Sequence, residues 1–400
     1  MSKQDFESAS VTAERLGVTV RAVQKWAAAG KIPGAEKIGR SWFIPKGATV
    51  NEQNESGDIH LVSDKPISVA KTMPLLTGTF KLGHCLEFID SIEDQDERNM
   101  ALGQYYFYCG KTKESFEILE QYLTSSNNAF RYTAAVLCVF ASISHGNMEC
   151  SSRASEVIKD LLYQMRDPSL PADVQALALI TLVGASVLWH APVPDHLPSL
   201  ESCLRYLPEG YRLWGCYLLA HKAYLDKDYN RAIAITDMGL AMCTCVHPVA
   251  AIYNHIIAVI ALMTLRRPEE AKKRFEEAWE LARPDGFIEP IAEHHGMMLG
   301  MIEVYLKRVH PADFKKVISI SGVFSAGWKQ IHNIKTFSEV TSELSSTEFS
   351  VAMLYSRGWS AQEIASFMEL SESTVRNYIK TIYVKLGISG RKALIKYMIK

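Results

Sequence analysis

The sequence predicts a mostly α-helical chain, with a long helical-repeat middle set between two small compact end segments. Three observations lead there. From about Leu75 to Ile331 apolar residues recur three or four apart, with Pro or Gly at the breaks and no strand-like alternation. Within that stretch a pattern of small and large residues returns at a step of 39. Charge is unevenly divided: residues 1–50 and residues 344–400 each hold eight Lys/Arg against four Asp/Glu, so a chain of net charge −1 carries −9 in between.

At 400 residues, 48% hydrophobic and 22% charged, the chain has material for two to four cores. It contains no uncharged apolar run of about 18 residues, and Met1-Ser2-Lys3-Gln4-Asp5-Phe6-Glu7 is not the apolar start of a secretory signal. The expectation is a cytoplasmic protein with no membrane span. Cys85, Cys109, Cys138, Cys150, Cys203, Cys216, Cys243 and Cys245 are scattered through apolar helical stretches, as reduced core thiols are. Two basic ends flanking an acidic middle suit contact with a polyanion, since basic surfaces steer and hold nucleic acid through its phosphates.

The first end segment spans 1–47. Ser10 and Thr19 each stand where a cap belongs, before helices Val11–Leu16 and Val20–Ala29 that are separated by Gly17-Val18. Val20, Val23 and Ala27 share the inner face of the second helix, leaving Arg21, Ala22 and Lys25 outward. Gly30 stops it, and Lys37 to Pro45 reads as two short strands about a Gly turn with Arg40 at the tip. This stretch resembles the winged helix-turn-helix of MerR-like and phage excisionase proteins. The resemblance rests on Ala13-Glu14-x-Leu16-Gly17-Val18, on Trp26 before Gly30-Lys31-Ile32-Pro33, and on Ile38-Gly39-Arg40-x-Trp42-x-Ile44-Pro45. It implies that Thr19, Arg21 and Lys25 meet a DNA groove while Arg40 serves the wing. The usual Glu-Ala-Ala opening of the first helix is here Val11-Thr12-Ala13-Glu14.

A polar stretch containing Asn51 to Asp58 marks a linker, 48–74, and the helical-repeat domain follows at 75–331. Ala271, Phe275 and Ala278 recur as Ala232, Thr236 and Gly239 one step earlier, as Ala154, Ile158 and Leu161 and as Ser115, Leu119 and Tyr122 further back, while the step between lands on Val193, Leu197 and Leu200, a poor match broken by Pro192, Pro194 and Pro198. Gly103 and Tyr106 precede Ser115 as the first helix of such a pair requires. The pattern resembles degenerate tetratricopeptide repeats, which stack because one helix pair cannot bury its apolar face alone. Cys109-Gly110-Lys111-Thr112 has the tail of a phosphate-binding loop, but the Gly required five residues before Gly110 is Tyr105, so it is read as a turn between helices.

After a second linker, 332–343, comes the end segment 344–400. Ser345-x-x-Glu348 and Ser360-x-x-Glu363 are two capping boxes that fix two helix starts. The second helix, Ala361 to Met368, is followed by the turn Glu369-Leu370-Ser371 and a third helix to Leu386. Helix, tight turn, helix is the arrangement that presents its second helix to a major groove. At about 100° per residue, Val375, Ile379, Ile382 and Leu386 fall on one arc, with Ser373, Asn377, Lys380 and Thr381 opposite and Thr374 and Arg376 at the flanks. Arg, Lys and Asn are the side chains that pair with guanine and adenine edges. Leu344-Ser345-x-x-Glu348, Glu363-Ile364-Ala365, Leu370 to Tyr378 and Ile382-Tyr383-x-Lys385-Leu386-Gly387 resemble the LuxR-type helix-turn-helix over its whole length. The resemblance implies a four-helix domain in which Arg376, Asn377 and Lys380 read bases, Thr374 and Lys385 approach phosphates, and the helix from Ser389 onward mediates dimerisation on DNA. Tyr378 stands where His is frequent and Ser346 where Pro is frequent. MalT-like relatives join an NTPase module to a helical-repeat domain and such an end; this chain carries the signs of the last two.

Neither Cys243-Thr244-Cys245-Val246-His247 nor Glu293-His294-His295 has a metal or protease spacing, and no Gly-x-Ser-x-Gly is present. The expected protein is a transcription regulator, not an enzyme, without cofactor or metal. Its partners are double-stranded DNA, a small-molecule or protein effector on the helical-repeat domain, and a second copy in a homodimer. The alternatives are a helical-repeat interaction scaffold tethered to DNA and an excisionase-like architectural factor.

Overall fold

The structure is a computed structural model and describes residues 6–16, 19–28, 32, 34–38, 41–46, 48, 67–145, 148–165, 167–189, 197–332 and 344–398. The chain forms two compact units, Met1–His60 and Leu61–Lys400.

In the first unit the elements run β1 (Phe6–Ser8), α1 (Ala9–Leu16), α2 (Val20–Ala28), β2 (Glu36–Ile38) and β3 (Ser41–Pro45). The sheet has three antiparallel strands ordered β1-β3-β2, with Glu7 opposite Ile44 and Lys37 opposite Trp42. The sequence predicts only the two strands of the wing; β1 spans three residues, too few for alternation to show. It also places the first cap at Ser10. The Ser8 hydroxyl accepts the Val11 N–H at 3.4 Å instead, and α1 starts at Ala9. Ala9, Ala13, Val23, Ala27, Ile32 and Ile44 form the core, against which Trp26 and Trp42 pack. Val20, expected inside, is 38% exposed at the first position of α2 and is not part of that core.

The second unit is built of helices. They are α3 (Pro74–Thr77), α4 (Cys85–Asp90), α5 (Gln95–Tyr108), α6 (Thr112–Leu119), α7 (Asn128–His145), α8 (Met148–Gln164), α9 (Ala172–Trp189) and α10 (Leu200–Cys203). Then follow α11 (Glu209–Leu225), α12 (Tyr229–Ala241), α13 (Pro248–Thr264), α14 (Pro268–Ala282), α15 (Glu289–Glu293), α16 (Met301–Val309) and α17 (Pro311–His332). The last four are α18 (Ser346–Ser356), α19 (Ala361–Met368), α20 (Glu372–Lys385) and α21 (Arg391–Met398).

Consecutive helices pair as α5 with α6, α7 with α8, α11 with α12 and α13 with α14. The residues picked out by the 39-residue step are the ones these pairs bury: Ser115 and Leu119, Ala154 and Leu161, Ala232 and Thr236, Ala271 and Phe275. Of the expected station Val193, Leu197 and Leu200, Val193 lies outside the described residues, Leu197 is half-buried and Leu200 is buried at the start of the short α10. Small residues permit close approach. A Cβ on Gly103 would sit 2.6 Å from Leu119, and the Ser115 hydroxyl donates to the Gly103 carbonyl at 2.8 Å. Helix α13 is buried from Pro248 to Met263 and therefore carries hardly a polar residue on any face.

Stacked repeats ordinarily touch only their neighbours. Here the array also closes up. The Asp285 carboxylate accepts the N–H groups of Gly83 and Cys85 at 2.8 and 2.9 Å, and the Phe287 ring lies edge-on to Phe80, Tyr105 and Tyr108. Helix α17 returns onto α7, so close that a Cβ on Gly327 would meet the Ile143 carbonyl oxygen. The segment Cys109 to Lys111 is a turn between α5 and α6, with Gly110 at φ +72°. Packing begins before the expected start of the helical domain: Ile67, Val69 and Met73 are already in the core, inside the stretch 48–74 read as linker. Of the second linker, 332–343, all but His332, which ends α17, lies outside the described residues.

Ala271 is fully buried where α14 meets α13. Ala271→Leu overpacks that contact and is expected to lower stability by about 1–3 kcal/mol. Thermal melting checks this; an unchanged midpoint would break the 39-residue register.

Candidate nucleic-acid interface

The head, α18 to α21, is organised by its caps. Both boxes close in full: Ser345 and Ser360 accept the N–H of Glu348 and Glu363, and those carboxylates accept the N–H of Ser345 and Ser360 at 2.7 and 2.6 Å. Glu369, in the left-handed region at φ +54°, ends α19 and makes the turn. Ser371 then caps α20 by accepting the Thr374 N–H at 3.0 Å.

Val375, Ile382 and Leu386 bury one side of α20, and Ile379 is partly buried beside them. This leaves Ser373, Asn377, Lys380 and Thr381 exposed in a row, with Arg376 exposed beside them. The expected site residues are thus brought onto one helix, but in different states. The Thr374 and Ser373 hydroxyls lie 2.7 and 2.8 Å from the Ser371 hydroxyl, a small hydroxyl cluster at the positive end of α20. Arg376 is folded along the helix, Nε donating to Glu372 at 3.0 Å. Lys385 donates to Glu348 Oε2 at 2.6 Å, tying the end of α20 to the start of α18. Burial disfavours the Glu348 carboxylate, but Lys385 and the Ser345 N–H outweigh it and hold the group below the usual carboxylate range. In α21, Arg391 stacks 4.4 Å over Tyr355 and donates to its carbonyl, while Leu394 and Met398 point into the core.

In the first unit, Thr19 accepts the Ala22 N–H at 3.3 Å and so caps α2. Arg21 and Lys25 are exposed on α2, away from Val23 and Ala27. Arg40 lies outside the described residues.

The sequence reading missed the seat on which the head rests. Arg266 donates to the Gly358 carbonyl at 2.8 Å and to Glu363 at 3.2 Å, Arg308 pairs with Glu369, and the His295 ring stacks on Phe349. These contacts join residues far apart in sequence, and no local spacing announces them. Two other clusters prove structural. Glu209 accepts the N–H groups of Cys245 and Thr244 and the Thr244 hydroxyl, which pull its carboxyl down to about 2, so the Cys243–His247 loop is folded around a carboxylate. Burial pushes Glu293 up to about 8 and His294 down to about 4, so both are mostly uncharged at neutral pH, and their 3.5 Å approach is no ion pair.

Compared with known families, residues 342–398 match the one described as bacterial regulatory proteins, luxR family. The head is a LuxR-family helix-turn-helix domain. Residues 8–48 match a family described as a helix-turn-helix domain, in the first unit. With such domains at both ends, the chain is a DNA-binding transcription regulator. No curated protein matches it.

Because Glu348 is held below its unfolded value, its contribution to the LuxR-type head is present above about pH 4.3 and is lost as pH falls through the lower folded value. Lys385→Met removes the partner and raises the folded value. The head should then lose about 1 kcal/mol at neutral pH, modest because Lys385 is partly exposed, and its acid transition should start at higher pH. Circular dichroism at α-helical wavelengths against pH tests both.

Proposed function

We propose that the protein binds specific DNA sites through the LuxR-type head, and that the helical-repeat domain senses a signal and sets how the head is presented to DNA. The supporting observation is the exposed polar row on α20, Ser373, Asn377, Lys380 and Thr381, backed by a buried apolar side. Asn377 and Lys380 are the base readers in this reading, joined by Arg376 once it leaves Glu372. Thr374 and the capped N-terminus of α20 approach phosphate. Lys385 reaches a phosphate only by exchanging its bond to Glu348. In the first unit, Thr19, Arg21 and Lys25 face the groove, with Arg21 and Lys25 on the phosphates along it, and Arg40 serves the wing.

The working division is a winged domain over 1–47, the helical-repeat domain from about Ile67 to His332, and the head over 344–400, acting as a homodimer. Signal control is favoured by the seat: Arg266 and Arg308, from the helical domain, hold the helix-turn-helix at Glu363 and Glu369. A ligand or partner that alters those helices alters the seat, and the populations of seated and released heads shift with it.

Duplexes selected from a random pool by the wild-type protein test the assignment. Asn377→Ala is expected to weaken the selected duplex by about 1–3 kcal/mol while leaving a scrambled one nearly unaffected. Equal losses on both would remove Asn377 from base reading. Arg21→Ala and Lys25→Ala should weaken all duplexes alike and each reduce the log–log salt slope by about 0.9. An unchanged slope would make the winged domain a docking module.

A further inference from the structure

The helical domain and the LuxR-type head share the walls of a cavity of about 850 Å3. Sites for small organic molecules run from ~300 to 1,000 Å3. Val136, Phe140, Ile180 and Trp214 line it from the helical side, and Phe349, Met353, Arg357 and Met398 from the head. Most of its lining is apolar, which suits the body of an organic molecule, with a few polar groups left to orient it.

The polar groups narrow the chemistry. His294 donates from Nδ1 to the Pro290 carbonyl at 2.7 Å, which leaves Nε2 to accept from the Tyr217 hydroxyl at 3.2 Å. Tyr217 in turn accepts from His221 Nδ1 at 3.3 Å. These groups satisfy one another. Arg357 differs. It is the permanent cation in the lining, and its Nε is buried with no acceptor. A buried guanidinium N–H without a partner is costly, and native proteins supply one from protein, water or ligand.

We propose that this cavity binds an amphipathic organic carboxylate, with its apolar body against Phe140, Trp214 and Met353 and its carboxylate on Arg357. The ligand touches both the helical domain and the head, because Arg357 sits at the end of α18, one residue before the Gly358 whose carbonyl Arg266 holds. Binding therefore acts on the seat directly. This deepens the effector half of the regulatory reading, yet its test needs no DNA, so the two fail separately.

The test is a fluorescence titration of the full chain with pyrenebutanoate and with pyrenebutanol, which share a body and differ in charge. One saturable site per chain is expected, about tenfold tighter for the carboxylate, as a charge-assisted hydrogen bond supplies. Arg357→Met should abolish the preference without weakening the alcohol, and Arg357→Lys should keep part of it. Gly184→Leu points new bulk into the cavity from α9, where a Cβ has room at 3.7 Å from Leu218, and should weaken both probes. Equal affinities for the two probes in the wild type, a preference that survives Arg357→Met, or full binding by Gly184→Leu would each overturn the proposal.

Discussion

One apolar core runs without a break from Ile67 to Met398, and every other feature of the second unit is arranged around it. A single helix pair leaves an apolar face open to water, and stacking passes that face to the next pair without ever removing it. This chain deals with the last face by closing up: Asp285 grips the backbone at Gly83 and Cys85, and α17 lies back on α7. Closure has a cost in spacing. The helices surround a volume that their side chains do not fill, so the cavity is the counterpart of the closed array.

The LuxR-type head completes the same core from the outside. Phe349, Val351 and Leu354 on α18 belong to it as fully as the residues of the paired helices do. The head thus has two faces with different work: α18 and the α19 turn face the helical domain, while α20 keeps its polar row in solvent. The capping boxes make this division possible, because each satisfies the free N–H groups at a helix start locally and leaves the outer faces free for other contacts.

How much of this was legible depended on range. The caps at Ser345, Ser360 and Ser371, the buried arc of Val375 and Ile382, and the small residues Ala232 and Ala271 all follow from spacings of three, four or 39, and the structure places them accordingly. The start of α1 was misplaced by two residues because Ser8 and Ser10 are both competent caps, and the choice was made by β1 pairing with β3. The seat, the closure at Asp285 and the cavity were illegible for a different reason. Arg266 reaches Glu363 across 97 positions, and nothing near either residue marks it as paired. Arg357 reads in sequence as an ordinary basic residue before a helix-ending Gly; only burial shows that its Nε lacks an acceptor.

The seat has an electrostatic side as well. Glu363 and Glu369 lie on the helix and turn that precede α20, and in a helix-turn-helix it is this first helix that crosses the sugar-phosphate backbone. Two carboxylates there repel phosphate, and Arg266 and Arg308 lend them counter-charge from an otherwise acidic domain. A head cut free of the helical domain keeps both acids without that counter-charge. Its affinity for DNA is then a property of the fragment alone, and the intact chain starts from a different local potential.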